Sequence, residues 1–198
     1  MGEWDQLRAL ASYALQMAER NGQAIATRFF EVALAWLHLE TLDFAGAREL
    51  ATRVVRRSEL QDQFATFLGL AVLGRALVGL RDYPAAEEAF AEAGGRLERG
   101  GIQESGFHLS LLQGLSELHL GRGDLAAAAL AAEQLCALAA RPGERTYLAM
   151  GHRTLALVAQ AAGDSPRAQV EVSRALAVLE GAEAPLALWR VQATAAQL

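Results

Sequence analysis

The sequence predicts an all-α fold, an α-solenoid of about ten helices set in antiparallel pairs. Three observations predict it. A short aspartate-centred motif recurs four times at a period of about 40 residues, and a fixed period of that size marks a repeat architecture. Apolar residues between the copies fall at helical spacing, with no alternating β pattern. All 4 prolines stand at or just before helix starts, so they punctuate the array without interrupting it.

The motif reads Leu42-Asp43-Phe44-Ala45-Gly46-Ala47, then Arg81-Asp82-Tyr83-Pro84-Ala85-Ala86, then Gly123-Asp124-Leu125-Ala126-Ala127-Ala128, then Gly163-Asp164-Ser165-Pro166-Arg167-Ala168. Its aspartates are almost evenly spaced, and a fainter copy is expected one further step before Asp43, at Asp5, with Ala9 matching Ala47. Aspartate is a favoured N-cap because its carboxylate accepts the orphan amides of the helix that follows, so each one marks a helix start. Pro84 and Pro166 lie in the first turn after their aspartates, and Pro142 and Pro185 open or precede further helices. Residues such as Leu50, Val54 and Val55, or Ala86, Ala89, Phe90 and Ala93, supply the apolar faces. The predicted helices span 3–20, 25–41, 44–58, 61–80, 84–97, 103–121, 125–139, 144–162, 165–179 and 184–197. They form one domain over 1–198, with a half repeat at 1–24, repeats near 25–60, 61–101, 102–142 and 143–182, and a half repeat at 183–198.

At 198 residues and 53% hydrophobic, the chain can bury a substantial core. No apolar run reaches the roughly 18 residues of a membrane helix and no leader pattern opens the chain, so a soluble, cytoplasmic protein is expected. A net charge of −5 argues against a nucleic-acid partner, and Arg53, Arg56 and Arg57 read as the solvated end of a helix. All 18 basic residues are arginine, a composition typical of a GC-rich bacterium, which excludes a phosphate-gripping or Schiff-base lysine.

No catalytic or metal constellation emerges. The histidines His38, His108, His119 and His152 show no i, i+4 pair to hold a metal. Ser105, Ser110 and Ser116 approach His108 and His119 only along the sequence, without a nucleophile elbow. The single cysteine, Cys136, reads as a small core residue. Glycines at 94–95, 100–101, 121 and 123 read as helix caps and turns, and Glu87-Glu88 as a solvated face. No enzymatic reaction, metal or cofactor is expected.

Gly74, Asp82, Tyr83, Ala86, Phe90 and Ala93 together resemble the tetratricopeptide signature, and the long repeat period is similar to that of kinesin light chains and maltose-activator-like bacterial regulators. The resemblance implies a right-handed superhelix whose first-of-pair helices line a concave face, with His38 and His119 at packing positions. On that register the inward residues are Phe29, Val32, Trp36, Leu39, Arg75, Gln113, Glu117, Arg153 and Gln160. It implies a protein- or peptide-binding scaffold in a bacterial regulatory or signalling protein, the alternative being a small-molecule sensor domain of a transcription regulator. The helix at 25–41 is apolar nearly all round, which predicts cover on both sides by the fold or a partner. A homodimer through that helix or the end helices is a further expectation. At those ends Trp4, Leu7 and Leu10, and Leu186, Trp189 and Val191, read as open stacking faces.

Overall fold

The structure, a computed structural model, describes residues 3–57, 63–100, 107–140 and 144–198. Among these residues it contains ten α-helices and no strand: α1 (Glu3–Arg20), α2 (Ala24–Glu40), α3 (Phe44–Arg56), α4 (Gln63–Gly79), α5 (Tyr83–Gly100), α6 (Phe107–Arg122), α7 (Leu125–Ala139), α8 (Arg145–Ala161), α9 (Ser165–Leu179) and α10 (Pro185–Ala195). The predicted boundaries at 58, 61 and 103, together with Pro142, Gly101 and Ser105, lie outside the described residues.

The chain divides into two compact units, Met1–Gln103 with α1 to α5 and Glu104–Leu198 with α6 to α10. In the first, each helix packs on the next, and α2 also lies against α4. In the second, each helix again packs on the next, while α6 meets α8 and α8 meets α10. A first-of-pair helix thus touches both its partner and the first helix of the following pair, which is the packing of a helical repeat.

The recurring motif builds these pairs locally. Asp43, Asp124 and Asp164 each accept the amide three residues on, at 3.0, 3.0 and 3.1 Å, and Asp82 accepts that of Ala85 at 3.4 Å. Each aspartate's own amide reaches back five residues, to His38, Leu77, His119 and Ala159, at 2.9 Å. That 6→1 bond is the mark of a Schellman turn, so one residue ends the first helix and caps the second. The turn requires a left-handed residue just before the aspartate. Gly123 and Gly163 meet this without strain at φ 79°, whereas Leu42 (φ 63°) and Arg81 (φ 61°) adopt it as non-glycine residues. Four positions on, Ala47, Ala86, Ala128 and Ala168 are fully buried, where only a small side chain lets paired helices approach.

Two local expectations are corrected. Asp5 caps nothing, because α1 begins before it at Glu3, and Ala9 is exposed while Ala47 is buried. Gly94 and Gly95 end no helix, since α5 continues to Gly100 with Leu97 buried beneath its last turns.

Candidate functional site

The expected inward surface begins on α2. Phe29 and Trp36 are exposed, at 39% and 42%, but Val32 and Leu39 belong to the core. Leu39 packs with Leu34, Leu37, Leu50 and Val72, and Val32 packs with Val54 and Ala65. These two are corrected from surface to core: with α3 and α4 both against it, α2 retains only one open stripe. Arg75 is also corrected, being 5% exposed with Nη1 3.4 Å from Glu40 Oε1, so the α2–α4 contact encloses its charge.

In the second unit Gln113 is likewise buried, its Nε2 donating to Glu117 Oε1 at 3.0 Å. Arg153 is half-buried and Nε donates to Arg190 O and Thr194 Oγ1, while Gln160 Nε2, exposed, donates to Gln197 O. Nearly every polar group assigned to the inward face is therefore already bonded within its own helix or to an adjacent first-of-pair segment, which lies close enough to use that bonding capacity.

The open apolar surface of the first unit runs over α1 and the exposed stripe of α2. On α1, Leu7, Leu10, Tyr13 and Met17 are exposed, and on α2 so are Ile25, Phe29 and Trp36. Trp4, read as part of an open end, is instead half-buried against the core. At the other predicted end Trp189 is exposed, Leu186 half-buried and Val191 fully buried in the α8–α9–α10 core.

Charged groups are mostly structural. Glu31 is fully buried, with Oε1 3.0 Å from Arg57 Nη1 and 3.8 Å from Arg53 Nε. Two of the three arginines read as a solvated helix end thus hold a buried carboxylate, a pairing between distant parts of the chain that no local sequence signal announces. Arg28 caps the carbonyl end of α3 through Arg57 O, and Arg145 does the same for α9 through Val178 O and Glu180 O. His38 Nδ1 lies 2.7 Å from Asp43 Oδ2. Together with the Gly46 amide, which has the larger effect, that contact holds the Asp43 carboxyl below its usual range. His152 Nδ1 lies 2.7 Å from Glu171 Oε2, whose other oxygen accepts from Arg174. Burial pushes the Cys136 thiol up to about 11, the reverse of an activated nucleophile.

No cluster of metal-ligating side chains occurs among the described residues, and none of their helices is long and apolar enough to cross a membrane. The depressions along α3 at Glu49 and Arg53 and along α9 at Val170 and Ser173 are open to solvent.

No protein-family model and no curated protein matches the chain. Among solved structures, the crystal structure of BtubC (BKLC) from P. vanneervenii is similar over 91% of this chain and 92% of its own, at 18% sequence identity and a TM-score of 0.46.

Proposed function

We propose that this chain is a non-enzymatic scaffold of the tetratricopeptide type that binds a protein or peptide, and that it serves in a cytoplasmic bacterial regulatory or signalling protein. One observation carries the binding reading: Phe29 and Trp36 are open to solvent on α2, while of the polar inward groups Arg75 and Arg153 are engaged by neighbouring helices and Gln113 by its own. Large aromatics in a contiguous exposed patch dominate interface energetics and are costly to leave in water. The arginine-only composition and the repeat signature support the bacterial regulatory setting.

Quantitative capture from a GC-rich bacterial lysate, comparing wild type with Phe29→Ala/Trp36→Ala, tests this. Proteins held by wild type should be lost by at least about tenfold from the variant, since two anchor truncations each cost about 2 kcal/mol, and retained by Leu130→Ala, a change at an exposed residue of α7. Equal retention on all three would sink the proposal.

A further inference from the structure

Internal repetition shows what covers the exposed stripe of α2 in other repeats. The step from Asp43 to Asp82 carries Ile25 onto Phe64 and Trp36 onto Arg75. Both α4 residues receive α2, the preceding first-of-pair helix: the rings of Phe29 and Phe64 lie 5.5 Å apart, and Glu40 meets Arg75 at 3.4 Å. The successive aspartate steps, followed by the step from the start of α8 to that of α10, carry Phe29, Ala33 and Trp36 onto Arg190, Thr194 and Gln197. Those are the positions, two on α10 and one just beyond it, that Arg153 and Gln160 of α8 touch. In both units, then, these repeat positions are where the preceding helix docks, and on α2 they stand open, Ile25 at 63%.

The exposed stripe of α1 completes the seat. Aligning the C-terminal ends of α1 and α3, Arg20 on Arg56, places Ala11, Leu15 and Ala18 on Ala47, Ala51 and Val54, all turned to the core. Leu7, Leu10 and Met17 then fall on Asp43, Gly46 and Arg53. Each of these faces α2, Asp43 and Gly46 against His38 and Arg53 against Glu31. The groove between α1 and α2 therefore has the two walls that α3 and α4 present to α2.

We propose that this groove seats one α-helix of a partner protein, of three or more turns, lying as a further first-of-pair helix would. This rests on the scaffold reading and names the partner's form. In the α2–α4 contact two touching residues of the incoming helix, Phe29 and Glu40, are eleven apart, as are Ile25 and Trp36. The partner helix accordingly carries apolar residues eleven positions apart, about 16 Å along its axis, over Ile25 and Trp36. An extended peptide fits less well. The walls are apolar side chains on helices whose backbone groups are already paired, so they offer nothing to the amides and carbonyls of an extended chain, whereas a helix satisfies its own. A second copy is an inferior source, because its α2, α6 and α8 already turn the docking face to α4, α8 and α10.

The probe is a fluorescein-labelled, hydrocarbon-stapled peptide of residues 24–40 carrying Glu40→Leu, titrated with the full chain by fluorescence anisotropy. Saturable micromolar binding is expected, at least tenfold weaker to Ile25→Glu and to Leu10→Glu, and unchanged to Leu130→Glu. An unstapled peptide with Ala33→Pro should lose binding by the same factor. Equal affinity of that peptide would mean an extended occupant, overturning the helix seat while leaving the scaffold reading intact. Undiminished binding to the Ile25→Glu and Leu10→Glu chains, or no binding of the stapled peptide, overturns it as well. So does sedimentation of the wild-type chain as a dimer that Ile25→Glu converts to monomer, which would assign the groove to a second copy.

Discussion

Replacing Gly74 with alanine tests the physical meaning of the signature glycine. A Cβ built there would lie 2.4, 2.6 and 2.7 Å from Cε1, Cζ and Cδ1 of Phe90, where carbon atoms normally sit about 3.5 to 4.0 Å apart. The ring must retreat by roughly 1 Å, but Phe90 is only 2% exposed and packs among rigid helices, so the strain spreads into the α4–α5 core. Overpacking of this kind costs about 1 to 3 kcal/mol, and a clash this deep belongs at or above the upper end. Alanine's better helix propensity returns about 1 kcal/mol. The expected net loss is about 2 kcal/mol, read as a lower urea midpoint at unchanged m value by circular dichroism. Adding Phe90→Leu, which shortens the offending side chain, should recover about 1 kcal/mol of coupling in a double-mutant cycle. Gly79→Ala provides the contrast, because its Cβ would come as close to Phe44, yet that ring is only half-buried and can swing aside. A neutral or stabilising Gly74→Ala, or the same cost with leucine at position 90, would refute the close-approach explanation.

Arg57→Ala should destabilise the chain by about 3 kcal/mol by chemical denaturation, because it leaves Glu31 buried with only the distant Arg53, and a further Glu31→Gln should restore part of the loss. Cys136 should react with iodoacetamide at pH 8 about two orders of magnitude more slowly than an unhindered thiol, since so little of it is thiolate when the pKa stands near 11. The same burial sets a sign for stability. The unfolded thiol gives up its proton first, so stability should fall as pH rises from about 9 to about 11, and Cys136→Ala should flatten that slope.

The helix order and the positions of the caps were legible because both are written locally. An aspartate followed four residues later by alanine specifies the end of one helix, the start of the next and the site of closest approach. The left-handed residue was not legible at Leu42 and Arg81, where the 6→1 hydrogen bond imposes a conformation that neither side chain favours. Nor was the phase of α1, whose aspartate sits inside the first turn instead of before it. Inward polar residues were misassigned for a shared reason. Periodicity says which side of a helix a residue occupies, but not how closely a neighbouring helix covers that side. Arg75 and Arg153 are long enough to be engaged by the helices that cover them, Gln113 is buried with its side chain turned to Glu117 of its own helix, and Val32 and Leu39 lie at the stripe's inner edge.

Residue types at equivalent positions bear on whether the open stripe of α2 was shaped for water. On α4 the counterpart of Trp36 is Arg75, a polar residue that meets α2 through a salt bridge. At the same position of α2, which stands open, solvation alone would favour a similarly polar group. The chain instead places Trp36 there, with Ile25 further along the helix and Leu7, Leu10 and Met17 beside it on α1. A position more apolar where it is open than where it is covered runs opposite to solvation, and scattered single exposures do not explain Ile25, Trp36, Leu7, Leu10 and Met17 lying on the two walls of one groove. The covered interfaces draw their specificity from polar pairs between helices, whereas the open one carries the large side chains that supply affinity to an incoming helix.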